Sequence, residues 1–118
     1  MLEETIQSFE RALRISPADP GLHTLFVGVA WASIELRRFD EAVVAGKKAL
    51  RQNSSSPVAY RCLASALAHL GRDAEAREAA ARALAVDPAY TISASIARGA
   101  LSNAKLMIEG LRKAGLPE

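Results

Sequence analysis

The chain has 118 residues, half of them hydrophobic and only 5% aromatic, and this composition predicts one all-α domain with closely packed helices. A formal net charge of +2, from 15 basic and 13 acidic residues spread along the chain, argues against nucleic acid or an anionic membrane as a partner. No apolar run reaches the roughly 18 residues of a membrane span, no signal peptide is recognisable, and Cys62 is the only cysteine. We therefore expect a cytoplasmic protein without disulfides.

Apolar residues at helical spacing predict a first helix over residues 2–15, which Ser16-Pro17 ends. Asp19-Pro20 predicts the start of a second helix over about 20–36, with Asp19 as its N-cap. This helix has two apolar stripes, formed by Leu22, Leu25, Phe26, Val29 and Ala30 and by Val27, Trp31 and Ile34. Both stripes must be buried, against the same chain or against a partner.

The rest of the chain predicts five further helices, over residues 40–51, 57–70, 73–86, 91–99 and 104–114. Ser56 is the expected N-cap of the helix that follows it, with proline next in the chain. Gly71 and Gly115 stand where a glycine closes a helix. The helix over 73–86 is dense in alanine, which predicts close contact between helix backbones.

Two segments of the chain repeat one pattern. Leu36–Ala42 matches Leu70–Ala76 and Ala49-Leu50 matches Ala83-Leu84, each pair 34 residues apart. A period of this length predicts an array of helical hairpins in which each unit buries its apolar face against its neighbours. We expect a single domain over residues 1–118, divided into a half repeat at 2–17, repeats at 23–56 and 57–90, and C-terminal capping helices at 91–114.

These residues resemble tetratricopeptide repeats. The family's positions are filled by Phe26, Val29, Ala30, Phe39, Ala42, Ala49 and Leu50 in one repeat and by Tyr60, Leu63, Ala64, Gly71, Ala76, Ala83, Leu84 and Pro88 in the next. Ser33, Arg37 and Ser54 depart from the family's aromatic, glycine and proline. The resemblance implies a right-handed superhelix of antiparallel hairpins, with about two and a half repeats plus capping helices.

A narrower resemblance concerns the linker 15–20, the segment 67–72 and the ending 109–118, which are similar to C-terminal repeat regions of bacterial class III adenylate or guanylate cyclases and related multidomain regulators. It implies that the chain is the C-terminal fragment of a longer bacterial signalling protein. None of the cyclase catalytic residues is in this sequence. The incomplete first repeat predicts uncovered apolar side chains at Ile6, Phe9 and Leu13, and hence a homodimer through the N-terminal end.

The family's usual ligand surface is the concave face lined by the first helix of each repeat. Carried over by position, the candidate peptide-binding residues are Thr24, Val27, Trp31, Ile34, Glu35, Val58, Arg61, Ser65, Ala68 and His69. Trp31 and Arg61 are the expected hot-spot pair, since these residue types often dominate binding energy. The family's clamp for chaperone tails is not expected, because Val27, Trp31, Val58 and Cys62 occupy four of its polar positions.

An alternative gives the same face no ligand: residues 91–114 fold across Trp31 and complete the core, so that the chain is a purely structural cap of a longer array. The main hypothesis is a non-enzymatic interaction module that binds a protein or peptide segment and that regulates or dimerises its parent protein. An exposed or a protected Trp31 distinguishes the two.

No catalytic, metal or cofactor site can be assembled from the sequence. Cys62 and His69 share a helical face, but two turns separate them by ~10.5 Å, so Cys62 is expected to be a small core residue. His23 and His69 lack partners at metal-ligand spacing, and no glycine-rich phosphate loop is present. The densest basic group, Arg37, Arg38, Lys47, Lys48 and Arg51, is expected to be a solvated face.

Overall fold

The computed structural model describes residues 21–99 and 104–118, and within these ranges the chain is all-α, as predicted, with no strand. The six helices are α1 (Leu22–Glu35), α2 (Phe39–Gln52), α3 (Pro57–His69), α4 (Asp73–Val86), α5 (Ile92–Ala97) and α6 (Lys105–Lys113). None of them is long and apolar enough to cross a bilayer. The predicted helix over 2–15 and the predicted start at Asp19-Pro20 lie outside the described residues, and α1 begins after Gly21.

The helix ends repeat with the period that the sequence predicts. Glu35 and His69 end the first helices of two hairpins, Phe39 and Asp73 begin the second helices, and Gln52 and Val86 end them. Each of these pairs is 34 residues apart. The helices α1 and α2 pack as one hairpin and α3 and α4 as another, while α3 also contacts α2 and α1. The two hairpins therefore form one continuous stack.

Ser56 is the N-cap of α3, as predicted: its buried Oγ accepts a hydrogen bond from the Ala59 amide at 3.2 Å, and Pro57 occupies the first helical position. The same Oγ is hydrogen-bonded to His23 Nε2 of α1 at 2.6 Å. The start of the second hairpin is thus tied to the first helix of the preceding one.

The turns within the two hairpins have the same hydrogen bonds but different residues. The Arg38 amide donates to Ser33 O and the Arg37 amide to Ile34 O, and the Arg72 and Gly71 amides bond correspondingly to Leu67 O and Ala68 O. This closure requires a left-handed residue after the helix. Gly71 supplies it with φ +76°, whereas Arg37 adopts φ +62° in the equivalent place. The turn between α1 and α2 therefore forms although Arg37, as a non-glycine residue, disfavours the left-handed conformation.

The core is made largely of small side chains, which lets the helix backbones approach one another. Alanine residues of α4 separate by face, since Ala76, Ala79, Ala80 and Ala83 are buried while Ala74, Ala81 and Ala85 are exposed. Ile34, Cys62, Leu67 and Ile92 supply larger buried side chains. Because such interiors are close-packed, each alanine position sets a distance between helices.

Replacing Arg37 by glycine tests the strained turn. We expect Arg37→Gly to raise the free energy of unfolding by about 0.5–1 kcal/mol. Glycine removes the cost of a left-handed conformation, and this gain is partly offset because glycine loses more conformational entropy on folding. The control is Gly71→Ala, which meets no atom within 4 Å and so changes only the backbone preference. Gly71→Ala should lower the free energy of unfolding. Urea titrations in which Arg37→Gly and Gly71→Ala shift the unfolding midpoint in the same direction would contradict this explanation.

The packing of α4 is tested by the same substitution on its two faces. Ala76 is 1% exposed, so Ala76→Leu should overpack the core and lower the free energy of unfolding by ~1–3 kcal/mol. Ala74→Leu, on the exposed face of the same helix, should leave stability nearly unchanged. Equal shifts of the two thermal midpoints would show that the buried alanines do not set the helix spacing.

Candidate functional site

The C-terminal helix α6 lies on the first helices of both hairpins. It packs mainly on α3 and also on α1, and it inserts Met107 and Leu111, which are 1% and 0% exposed. Ala114 and Leu116, which follow this helix, are buried as well. The surface that sequence reasoning assigned to a ligand is thus occupied, over part of its length, by a helix of the same chain.

Three polar side chains hold α6, and we call them the docking face: Glu35, Ser65 and His69. Glu35 Oε1 accepts a hydrogen bond from the Met107 amide at 3.3 Å, Ser65 Oγ donates to Met107 O at 3.1 Å, and His69 Nε2 donates to Leu106 O at 2.6 Å. Glu35 and His69 are equivalent residues of the two repeats. Glu35, at the end of α1, and His69, at the end of α3, therefore both bind the first turn of α6.

Glu35 supplies a hydrogen-bond acceptor that the N-terminus of α6 lacks. The N-cap position of α6 is Ala104, which has no side chain that can accept a hydrogen bond from the first-turn amides. The Glu35 carboxylate supplies that acceptor from 72 residues away in the chain, and its negative charge lies at the positive end of the helix dipole. Docking on α1 therefore also stabilises the start of α6.

His69 is fixed in orientation by an aromatic contact. Its ring stacks on Phe39 of α2, with centroids 4.5 Å apart and an interplanar angle of 9°. Because the Leu106 carbonyl can only accept, the stacked ring must carry its hydrogen on Nε2. The arrangement positions a hydrogen-bond donor at the end of α3.

Gly110 of α6 makes the closest approach to the docking face. A Cβ atom added at this position would lie 2.6 Å from Ser65 O and 2.7 Å from Ser65 Cα. These are backbone atoms of α3, which cannot move aside without shifting the helix. Only glycine therefore permits α6 to lie where it does, and sequence analysis did not single out this residue.

The segment after α6 closes back on α5. The amides of Ile92 and Ser93, in the first turn of α5, donate to Pro117 O at 2.9 Å and to Glu118 O at 2.8 Å. Thr91 Oγ1 caps the same helix by accepting from the Ala94 amide at 3.2 Å. Pro117 and Glu118 thus supply acceptors that the start of a short helix would otherwise take from water.

Arg61 contacts the segment that follows α4. Its guanidinium lies over the Tyr90 ring, 4.2 Å from the centroid, and Nη1 is 3.7 Å from Asp87 Oδ2. Nη1 is buried and has no hydrogen-bond partner. Arg61 therefore secures the segment that leaves α4.

The candidate peptide-binding residues fall into two groups. Ile34, Ser65 and Ala68 are buried, and Glu35 and His69 are bonded to α6. Thr24 is exposed, and Val27, Trp31 and Val58 are partly exposed. Part of the predicted face is therefore closed by α6, and Thr24, Val27, Trp31 and Val58 remain accessible on α1 and α3. Val27 and Trp31 also pack on the core.

Cys62 is a buried core residue, as predicted. Loss of hydration raises the pKa of its thiol to about 12, although the nearby charge of Arg61 acts in the opposite direction. A thiol in this state is neither a nucleophile nor a metal ligand. Over residues 21–99 and 104–118, no three His, Cys, Asp or Glu side chains come together as metal ligands.

The basic side chains of α2 are exposed. Lys48 Nζ lies 5.8 Å from the centroid of the Phe26 ring, and Arg38 Nη1 is 3.9 Å from Glu41 Oε2. Both contacts are near the surface, where such pairs contribute little. The group has the interspersed charges expected of a solvated face.

No protein-family model matches the chain, and no curated protein matches it.

The reactivity of Cys62 tests its burial. We expect the native thiol to react with a disulfide reagent only when the chain opens, at a rate far below that of the urea-unfolded chain. Burial raises the pKa of the Cys62 thiol from 9.0 to about 12, so the unfolded chain loses the thiol proton at a lower pH than the folded chain does. The free energy of unfolding should therefore fall as the pH rises from 9.0 to about 12. Rapid labelling of the native protein near neutral pH would contradict this assignment.

Proposed function

We propose that the chain is a non-enzymatic helical-repeat module of the tetratricopeptide type whose role is to bind a protein or peptide segment. The observation that carries this proposal is the seating of α6 along the first helices of both hairpins. The surface there combines small buried side chains with polar groups that reach a bound backbone. Such a surface suits a polypeptide better than a small molecule.

The accessible part of the proposed binding surface is the group Thr24, Val27, Trp31 and Val58. Its side chains are mostly apolar, and a tryptophan is among the residues that most often dominate binding energy. We therefore expect the bound segment to be short and to present apolar side chains. The charge balance of the chain gives no reason to prefer a strongly acidic or basic ligand.

The resemblance to repeat regions of bacterial cyclases extends the proposal to a parent protein. In such a protein the module would be a regulatory or dimerising part beside a separate cyclase-type domain, in the cytoplasm. The N-terminal end of the chain is the proposed dimer contact. The cyclase-type parent rests on the resemblance of the segments 15–20, 67–72 and 109–118, and the dimer contact rests on the apolar side chains Ile6, Phe9 and Leu13 of the half repeat.

A second candidate function is supported by the closure of the C-terminal segment. The helix α6 covers part of the inner face, and the carbonyls of Pro117 and Glu118 complete the start of α5. A segment that fills the groove of its own chain and completes the start of a neighbouring helix is what a purely structural cap of a longer array needs. In that case the chain would have no ligand of its own.

Selection from a library of random displayed peptides tests the binding function. We expect enriched peptides to bind the wild-type chain and to lose at least about tenfold in affinity for Trp31→Ala, the loss typical of a hot-spot residue. Val44→Ala is the matched control, because Val44 is 52% exposed on α2 and is not part of the proposed surface.

Enrichment of peptides that distinguish Trp31→Ala from Val44→Ala would support the interaction module. Failure to enrich any peptide, or equal binding to both variants, would favour the structural cap. Acrylamide quenching of Trp31, the only tryptophan, provides a second readout, since a bound peptide should protect its emission.

A further inference from the structure

A second surface groove lies between the second helices of the two hairpins, α2 and α4. Both helices pack on adjacent helices of the stack and hardly on each other, so side chains of α3 form a floor between them. The groove has a volume of about 240 Å³. It is lined by Lys47, Tyr60, Leu63, Leu67, Glu75, Glu78, Ala79 and Arg82. We call it the α2/α4 groove, and it shares no residue with the docking face or with the surface around Trp31.

The wall of this groove that α4 provides has an ordered set of side chains. Glu75, Ala79 and Arg82 stand at i, i+4 and i+7, so they follow one another along one face of the helix. The two charged side chains are exposed, whereas Ala79 is 4% exposed. A small residue between an acidic and a basic one leaves a shallow apolar position flanked by opposite charges.

The helix α2 presents the complementary set to solvent. Glu41, Val44 and Lys48 stand at i, i+3 and i+7 and share one exposed face. Val44 is 52% exposed, more than Val86 or Ile96, the other exposed large hydrophobic side chains that the structure describes. An apolar side chain between an acidic and a basic one fits the wall of the α2/α4 groove in charge and in size.

We propose that two copies of the chain form a two-fold dimer in which α2 of each copy lies antiparallel to α4 of the other, in its α2/α4 groove. The spacing of the two sets supports this orientation, because steps of three and then four residues separate the members of the α2 set and also those of the α4 set read backwards. The antiparallel contacts are Glu41 with Arg82, Val44 with Ala79, and Lys48 with Glu75.

The charges distinguish between the two possible directions of the helix pair. A parallel arrangement would place Glu41 against Glu75 and Lys48 against Arg82, and like charges at an interface oppose association. The antiparallel arrangement replaces both repulsions by attractions. Its two contacts are identical by symmetry, so assembly closes at two copies.

Ion pairs within one copy leave these side chains available. Arg82 Nη2 lies 3.3 Å from Glu78 Oε1, and Glu41 Oε2 lies 3.9 Å from Arg38 Nη1. Glu75 also binds an arginine of its own helix end, Arg72. All of these pairs are at the surface, where an ion pair contributes little to stability. A second copy that shields the same charges from water strengthens their attraction.

This dimer is separate from the functions proposed above. It uses no residue of the peptide-binding group around Trp31, and its contact differs from the N-terminal end of the chain. It therefore does not rest on peptide binding.

Sedimentation equilibrium of the full chain over a concentration series tests the proposal. We expect the wild-type chain to dimerise and Val44→Asp to raise the dissociation constant at least about tenfold, because the charge enters both contacts of the dimer. Ile96→Asp is the matched control. It makes the same kind of change at a side chain that is 40% exposed on α5, and it should dimerise as the wild-type chain does.

A charge exchange tests the antiparallel pairing itself. Glu41→Lys and Arg82→Glu should each raise the dissociation constant at least about fivefold, and the chain with both changes should return to within about threefold of wild type. Added salt should weaken the wild-type dimer, since its charged contacts lie at the rim. All of the substituted side chains are exposed, so each variant should keep the wild-type circular dichroism spectrum.

Three results would overturn the proposal. One is a wild-type chain that stays monomeric at about 1 mM. Another is a dimer that Val44→Asp leaves unchanged, which would assign self-association to the N-terminal end. The third is a double variant as weak as the single ones, which would exclude the pairing of Glu41 with Arg82. The peptide selection with Trp31→Ala reads a different surface, so either experiment can fail while the other succeeds.

Discussion

The close approach of Gly110 to the backbone of Ser65 determines how the C-terminal part of the chain packs on the hairpins. It brings α6 near enough to α3 for Ser65 and His69 to reach the carbonyls of its first turn, and near enough to α1 for Glu35 to reach an amide. Burial of Met107 and Leu111 follows from the same approach. A small residue at one position of one helix thus sets the distance on which the remaining contacts depend.

The two hairpins repeat one backbone with different chemistry at equivalent positions. Glu35 accepts a hydrogen bond from α6, whereas His69, its counterpart, donates one. Trp31 and Ser65 are also counterparts, and one is a large, partly exposed ring while the other is a buried hydroxyl. The repeat therefore supplies a common geometry, and the differences at matching positions let Glu35 bind an amide and His69 a carbonyl in the first turn of the same helix.

The sequence predicted the helices well and their long-range contacts poorly, for a physical reason. The end of α3 at Gly71 and the limits of α4 follow from local signals, because capping and periodicity are properties of neighbouring residues.

The seating of α6 depends on hydrogen bonds to backbone atoms, such as that from the Met107 amide to Glu35, which leave no pattern in side-chain identity. Gly110 was equally hard to recognise, since a glycine inside a predicted helix does not reveal which backbone it meets. The contacts of Arg61 with Tyr90 and Asp87 likewise depend on the path of the chain after α4.

The hydroxyl of Ser56 has a consequence for how the molecule unfolds. Because the same oxygen caps α3 and bonds to His23 of α1, loss of the first hairpin removes a partner from the group that starts the second. In stacked repeats, stability is the sum of each unit and of the coupling between neighbours. The part-buried hydrogen bond between His23 and Ser56 strengthens the coupling between the two hairpins. The two hairpins should therefore melt as one cooperative unit rather than fray sequentially from one end.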